Sequence, residues 1–471
     1  MAKEYDLVIL GAGTGGYVAA VHAAKRGLST AVVEARDIGG TCLHRGCIPS
    51  KSYLKSAEVY KMVQESLSYG VEADNVSLQF GKVREKKNQT VQQLHKGVQQ
   101  LLSKHQVDVY YGHGRILGAS IFSPTASTIS VETETEGENI MLQPKQIMLA
   151  TGSRPATVPG LEIDGEYILS SEELLEAEKL PSSMVIVGGG VIGVEWASML
   201  QDFGVEVQLV ELGDRLLPMM DHAVSKEAEK RLKRKGVRIF TNTELDPSSL
   251  TKNGEITVHT TSKEVLTAGK MLVAVGRTGN TGDLGLHNTE VEVQNSFIQT
   301  SGMYQTKESH MYAIGDVIGG MQLAHVASRE GIIAVEHMLG NHPEPLDYKN
   351  VPSCVYSDPE MASVGWTEHE ATDAGLNIKT SNVPFQAIGK ALVENDPEGF
   401  MKMIVDKETE DVLGVHIVGK KATELINEGA LAVYMNASHL EIQGAVHAHP
   451  TLAEIYAEGA LAVDGKAIHH G

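Results

Sequence analysis

Residues 5–34, YDLVILGAGTGGYVAAVHAAKRGLSTAVVE, and residues 182–211, SSMVIVGGGVIGVEWASMLQDFGVEVQLVE, decide how this chain folds. Each begins with an apolar, β-branched run, breaks at glycines and continues as an amphipathic stretch of helical period. Each then stops at a glycine, Gly27 or Gly204, and resumes as a second apolar run closed by an acid, Glu34 or Glu211. From first glycine to acid the distance is 23 residues in both copies, Gly11 to Glu34 and Gly188 to Glu211. Two parallel strands need a crossover, and a helix of this length supplies one, so each copy predicts a βαβ unit. A chain of 471 residues is also too long for one core and divides into several domains.

Both turns read GxGxxG: Gly11, Gly13, Gly16 and Gly188, Gly190, Gly193. The first glycine permits the tight turn, the second lets backbone approach a pyrophosphate, and the third lets helix and strand pack closely. The helix N-terminus then offers free N–H donors to the phosphates. Alone such a triplet is weak evidence, but here each follows a strand, opens a helix and has an acid at the right distance. Glu34 and Glu211 can accept from ribose hydroxyls, and Glu211 would repel a 2′-phosphate, which favours NAD over NADP. Two such sites imply two dinucleotides, or one site decayed to scaffold. A bound flavin with an exchangeable nicotinamide makes chemical sense of two.

Working outward, IMLATGSRP (147–155) and MLVAVGRTG (271–279) are apolar strands that stop at a glycine. Each follows one βαβ unit and either completes its sheet or carries the chain between sheets. Val91, Leu94, Val98, Leu101 and Leu102 have helical spacing and predict a helical insertion, with weaker strands after it near Thr128 to Glu132. From about Val351 the glycine fingerprints cease. Thr367 and Glu370 have capping-box spacing, Gly375 can end that helix, and Gly399–Val405 with Val412–Val418 reads as a hairpin, which together predict a separate α+β domain.

The charge balance is acidic, 40 Lys and Arg against 60 Asp and Glu, which argues against binding nucleic acid or an anionic membrane. No apolar run reaches the length of a membrane span, and Tyr5–Leu10 runs straight into glycines as a strand rather than a signal peptide, so a cytoplasmic location is expected.

Three cysteines are present, two of them close together in GGTCLHRGCIPSK (39–51). This is not a secreted disulfide scaffold. In a straight helix Cys42 and Cys47 would stand about 7.5 Å apart along the axis, from a rise of roughly 1.5 Å per residue, beyond the about 7 Å that a bridge tolerates. Pairing therefore requires a distorted first turn, which Gly46 and Pro49 can supply. As a staple so short a loop would contribute only about 2 kcal/mol, and a strained short bridge is readily reduced, which suits a catalytic dithiol. A pair of ordinary buried thiols and a metal site stay open on this pattern, although no matching histidine set accompanies the cysteines and no metal is expected.

GGTCLHRGCIPSK resembles the active-site segment of the pyridine nucleotide–disulfide oxidoreductase family. The two glycine fingerprints, ATG (150–152), VGR (275–277), YAIGD (312–316), AHVASREG (324–331) and HAHPTLAE (447–454) follow in the family's order over essentially the whole chain. The resemblance implies an α/β protein with two Rossmann-like dinucleotide-binding domains plus a C-terminal α+β dimerisation domain. The expected divisions are 1–149 and 275–348 for FAD, 150–274 for NAD and 349–471 for dimerisation. It implies that Gly11, Gly13, Gly16, Glu34, Thr41, Lys51, Gly114, Thr151, Gly152, Asp316 and Ala324 hold FAD. Gly188, Gly190, Gly193, Glu195, Glu211, Gly276 and Arg277 would hold NAD, with Lys51 and Glu195 paired near the flavin's reactive edge. Cys47 would face the flavin and Cys42 would exchange with substrate, an order that spacing alone does not give. His449, held by Glu454, would be the acid–base group and serve the other subunit of a homodimer, with His447 as the decoy. The likeness is greatest to members that reoxidise lipoyl groups carried by the acyltransferase of 2-oxo acid dehydrogenase complexes. The basic pair His44–Arg45 departs from the commonest family pattern and leans slightly toward branched-chain complexes. Cys354 reads as a small buried hydrophobe. The alternatives are another FAD-dependent disulfide reductase, such as a glutathione-reductase-like enzyme, and a non-catalytic flavoprotein subunit.

Overall fold

Leu7, Val8, Ile9 and Leu10 are almost wholly buried, as are Met184, Val185 and Ile186, because each run forms the central strand of a sheet covered on both faces. The computed structural model describes residues 2–118, 128–133 and 139–470, which divide into two units.

The first unit comprises 1–52, 81–156 and 276–346. Its sheet runs Asp108–Tyr111, Thr30–Glu34, Lys3–Leu10, Ile140–Leu149, all parallel, and Met311–Ala313 joins the end of the fourth strand, also parallel. Strands Ile129–Glu132 and His113–Ile116 extend the other end of Ile140–Leu149 antiparallel. Helix Thr14–Lys25 crosses over the sheet on Ala19, Ala20 and Ala23. The expected helical insertion forms as Phe80–Lys104.

The second unit comprises 53–80, 157–275 and 347–471. One of its sheets repeats the first unit's plan: Arg238–Phe240, Glu206–Val210, Ser183–Val187, Lys270–Val273 and Ile168–Leu169, all parallel. A three-stranded antiparallel sheet, 245–268, accompanies it. The C-terminal third builds its own antiparallel sheet in the order Ser353–Val355, Met361–Gly365, Val412–Val418, Phe400–Asp406, Ile378–Pro384. The hairpin pairs Phe400 with Val418, and Thr367 and Glu370 make a full capping box. Helices Ala422–Tyr434 and Glu454–Val463 share one core with this sheet around Met401, Met403, Val415 and Tyr456.

The divisions expected from sequence differ from these units. Strand Ser153–Pro155 pairs antiparallel with Arg277–Gly279, which holds 150–156 in the first unit rather than at the head of the NAD half. Residues 53–80 belong with the second unit: Tyr53 is buried against Trp196 and donates to the Leu175 carbonyl at 2.9 Å. The C-terminal sheet and the NAD half share that unit through buried ion pairs. Lys402 donates to both oxygens of Asp221 at 2.9 Å, and Asp221 also caps helix His222–Arg234.

Candidate active site

The two glycine turns are built alike. Gly11 and Gly188 have φ of 103° and 112°, and a Cβ on either would meet the carbonyl oxygen of Ala150 or Ala274 at 2.3 Å. A Cβ on Gly16 or Gly193 would meet the first glycine's own oxygen at 2.0 or 1.9 Å. Only the middle glycines are open: Gly190 has nothing within 4 Å of a Cβ position, and Gly13 only the Gly40 Cα at 4.0 Å. Neither following helix has a side-chain cap, so its first N–H groups are left for an anion. The acids close the second strands. Glu34 accepts from the Ala12 N–H at 2.7 Å and the Arg36 N–H at 2.8 Å, and Glu211 from the Gly189 N–H at 2.5 Å and the Gly213 N–H at 2.6 Å. This donor and acceptor set fits a dinucleotide at each turn.

The redox segment packs on the first turn. Gly39 donates to the Ala12 carbonyl at 2.8 Å and bridges Gly13, while a Cβ on Gly40 would lie 2.6 Å from the Gly13 Cα. The chain then makes a five-residue helix, Gly40–His44, breaks at Arg45–Gly46 and starts an 18-residue helix at Cys47. That break supplies the distortion the spacing demanded. The Cys42 and Cys47 sulfurs lie within hydrogen-bonding reach of each other. The Cys47 hydrogen bond and burial push the Cys42 thiol up, against the Thr14 hydroxyl and the Lys51 charge, which pull it down. Ionising both sulfurs together is therefore disfavoured. Tyr17 also stands near Cys42, its phenol raised by burial and by that sulfur's charge. Thr14 and Tyr17 gave no signal in the sequence, since both fall within the first helical turn as ordinary helix positions. Cys47 is the more exposed thiol.

Other expected residues take these places. Thr41 sits on the Cys42 helix and Gly114 on strand His113–Ile116, where a Cβ would press on Leu10 and Val33. Thr151 donates to the Asn280 carbonyl at 2.8 Å, and Gly152 has φ of 70°. Asp316 accepts from Ser153 Oγ at 2.5 Å, and Ala324 opens helix Ala324–Met338. Gly276 and Arg277, expected at the NAD site, lie in the first unit. The Arg277 guanidinium donates to Ser153 Oγ at 2.6 Å and stands 3.8 Å from Asp316. Strand pairing to Ser153–Pro155 carries them there. Glu330, unnoticed in sequence, is buried and accepts from the Gly315 N–H at 2.6 Å, next to Asp316. Glu195 is buried in helix Val191–Asp202 and accepts from the Tyr356 N–H at 2.9 Å. Cys354 is half-buried against the C-terminal core.

In the second unit His449 Nδ1 bonds Glu454 Oε1 at 2.8 Å, and the Thr451 N–H holds the other oxygen at 2.9 Å. Burial pushes the Glu454 carboxyl up, but the His449 and Thr451 hydrogen bonds outweigh it and hold it below the usual range. Glu454 begins the helix anchored by Tyr456, which is fully buried and accepts from the Gly429 N–H at 3.0 Å. His447 has a carboxylate too, Glu428 at 2.7 Å, so a His–Glu pair does not by itself select one histidine. Exposure distinguishes them: the His447 side chain is 9% exposed and meets Glu428 through Nε2, whereas His449 is 77% exposed and meets Glu454 through Nδ1. Among the described residues no cluster of three or more His, Cys, Asp or Glu could hold a metal, and no helix is long and apolar enough to cross a membrane.

Two dinucleotide turns, a dithiol on one of them and a paired histidine in the loop before helix Glu454–Val463 define a class. The chain belongs to the pyridine nucleotide-disulphide oxidoreductase family, which matches residues 5–331, with the family's dimerisation domain matching 351–460. It is an oxidoreductase whose two dinucleotides are FAD and NAD. Among particular relatives, it is 54% identical to a dihydrolipoyl dehydrogenase of Bacillus subtilis, over 100% of both chains. It is 37% identical to the mitochondrial dihydrolipoyl dehydrogenase of Pisum sativum, over 99% of this chain and 93% of that one. The crystal structure of LpdA from Mycobacterium tuberculosis superposes with a TM-score of 0.90 at 25% identity, covering 98% of this chain and 100% of that one. A Cu(II) complex of RclA, an HOCl-induced flavoprotein disulfide reductase of Escherichia coli, superposes with a TM-score of 0.87 at 28% identity, with coverage of 98% and 100%.

Proposed function

We propose that this chain catalyses the dihydrolipoyl dehydrogenase reaction, reoxidising lipoyl groups borne by the acyltransferase of a 2-oxo acid dehydrogenase complex, with NAD as the final acceptor. The observation that carries this is the Cys42–Cys47 pair seated on the first dinucleotide turn beside Thr14 and Lys51. The dihydrolipoyl dehydrogenase relatives, which cover 98–100% of the chain, support this choice of substrate.

We assign Gly11, Gly13, Gly16, Glu34, Thr41, Lys51, Gly114, Thr151, Gly152, Asp316 and Ala324 to FAD, and Gly188, Gly190, Gly193, Glu195, Glu211, Gly276 and Arg277 to NAD. Held by the first set, FAD would supply the two-electron chemistry that links the reduced cysteine pair to NAD. The chain's own part is thiol chemistry. His449 Nε2 takes the proton of one substrate thiol, with its Nδ1–H kept on Glu454. That sulfur attacks Cys42 of the oxidised pair, the Cys42–Cys47 bond breaks and Cys47 leaves as thiolate. The second substrate thiol then attacks its neighbour, closes the lipoyl disulfide and releases Cys42, which takes up a proton. The resemblance gives Cys42 this outward role. Exposure alone would give it to Cys47, so the serine variants described in the Discussion separate the two.

The enzyme works as a homodimer in which His449 serves the second copy's thiols, and it is cytoplasmic. The exposed apolar Leu431, Tyr434, Met435 and Val446 on the dimerisation domain support the association.

The test is anaerobic mixing of purified, flavin-loaded enzyme with dihydrolipoamide and NAD, with glutathione and NADP as the alternative pair. NADH should form with the first pair and no NADPH with the second. His449→Gln should lower that rate by about 10²–10⁴-fold with flavin content unchanged, and near-normal turnover removes His449 from its role. Activity with glutathione and NADP alone would favour a glutathione-reductase-like enzyme.

A further inference from the structure

The two glycine turns differ inside the fingerprint at a position that no glycine rule governs. The first reads GAGTGG (11–16) and the second GGGVIG (188–193), so Thr14 and Val191 are counterparts. Each is the first residue of its helix. Threonine and valine have almost the same shape and differ by a hydroxyl in place of a methyl. A β-branched side chain therefore suits both turns, and only the first turn adds a donor. Only the first turn also carries a cysteine pair.

Backbone contacts bring that hydroxyl to Cys42. The Gly39 N–H donates to the Ala12 carbonyl at 2.8 Å, and Gly39 bridges Gly13. A Cβ on Gly40 would lie 2.6 Å from the Gly13 Cα, so the chain leading into helix Gly40–His44 lies directly on the turn. Thr14 follows that turn by one residue, and its hydroxyl is within hydrogen-bonding reach of the Cys42 sulfur. Thr14 and Tyr17, three residues apart, share one helix face, and both stand beside this sulfur.

A hydroxyl has one proton to donate. Donated to a thiolate, it stabilises the negative charge. Titratable groups face Cys42 from two packed elements: Cys47 and Lys51 from helix Cys47–Gln64, and Tyr17 from the helix of Thr14. Burial and the Cys47 sulfur oppose charge on Cys42, while Lys51 and the Thr14 hydroxyl favour it. That charge is needed when lipoyl is released. The second substrate sulfur bonds to the first, the bond to Cys42 breaks, and its electron pair stays on the Cys42 sulfur until a proton returns. A better-stabilised thiolate leaves faster.

We propose that Thr14 is a catalytic residue: its hydroxyl donates to the Cys42 sulfur and stabilises the thiolate that leaves the mixed disulfide, and that attacks the lipoyl disulfide in the reverse direction. This role rests on the reading of Cys42 as the exchanging thiol.

The test uses flavin-loaded enzyme carrying Cys47→Ser, so that Cys42 titrates without its partner sulfur, and follows alkylation of Cys42 by iodoacetamide against pH, read by peptide mass. Adding Thr14→Val should raise the pH midpoint and slow alkylation at neutral pH about tenfold, as loss of one hydrogen bond to a charged group implies. Thr14→Ser keeps the hydroxyl and should restore the midpoint of Cys47→Ser alone. An unmoved midpoint in Thr14→Val, or a shift downward, overturns the proposal, as does an equal shift in Thr14→Val and Thr14→Ser. Should Thr14→Val fail to fold or to hold flavin, Thr14→Ala replaces it with the same expected shift. A Cys47→Ser enzyme that never opens lipoamide to a mixed disulfide at Cys42 sinks the exchange reading itself. One that does, with Thr14 variants that match it in midpoint, sinks only the role of Thr14.

Discussion

The two glycine-turn halves share one recognition device and differ in what is packed upon it. In each, the first glycine donates to the end of the second strand at 2.8 Å, Gly11 to Val33 and Gly188 to Val210. In each, the fourth strand returns a bond of 2.8 Å to the first, Ala150 to Leu10 and Ala274 to Val187. The acids are pinned by the N–H after the first glycine and the N–H two residues after the acid. Beyond the acid the likeness ends. After Glu34 the chain doubles back so that Gly39 and Gly40 press on Gly13, bringing a dithiol to the dinucleotide. After Glu211 it leads into helix His222–Arg234, whose cap, Asp221, is buried with Lys402 of the C-terminal sheet. One half is specialised to react and the other to bind and to anchor. What sits on a dinucleotide turn, rather than the turn itself, separates the roles.

The largest expected effect falls on the reactive half. Cys42→Ser or Cys47→Ser should cut NADH production on the order of 10⁴-fold, as loss of a covalent nucleophile does, while NAD still binds. Attack of the remaining thiolate on oxidised lipoamide opens its ring to a mixed disulfide; one formed by Cys47→Ser and not by Cys42→Ser would fix Cys42 as the exchanging thiol, and the reverse would exchange the roles.

Next comes the anchor. Lys402→Met strands the Asp221 carboxylate, whose side chain is 2% exposed, and should cost about 3–5 kcal/mol in urea unfolding. Its pH dependence has a definite sign. Burial pushes the Asp221 carboxyl up, but His416, Lys402 and two backbone N–H groups hold it below its ordinary value of 3.8. A depressed carboxyl stabilises the fold above its unfolded pKa and loses that contribution as pH falls through the folded value. The gap between parent and variant should therefore be full at neutral pH and narrow below about 3.8. A gap independent of pH would mean that Lys402 matters by packing alone.

The smallest effects test the shared device. Glu211→Ala should weaken NAD about 10- to 100-fold, from the roughly 1.5–3 kcal/mol of a charged hydrogen bond, and leave flavin in place. Glu34→Ala should do the converse, releasing flavin on dilution with NAD affinity kept. Both variants losing the same ligand would break the symmetry of the halves.

Much of this was legible in the chain. Glycine spacing and the acid at 23 residues were enough for both turns, because a tight turn and a close approach to phosphate exclude any side chain at those positions. The cysteine pair was legible as a pair but not in its order, since exposure and resemblance point opposite ways. His449 was separable from His447 only through likeness, because both have a glutamate partner and burial alone tells them apart. Arg277 and Asp316 were expected on different dinucleotides, yet both bond Ser153, which strand pairing brings from more than 120 residues away.

The sequence by itself determined the repeated strand–turn–helix units, the dithiol segment and the change of architecture after Val351, because these rest on local backbone freedom and periodicity. Only tertiary structure decided what faces the thiols. Thr14 and Tyr17 beside Cys42, Glu330 beside Asp316, and His95 on the Ile38 carbonyl are all set by the packing of separate elements. A hydrogen bond needs two groups within about 3 Å, and no spacing along a sequence fixes a distance between segments that have yet to pack.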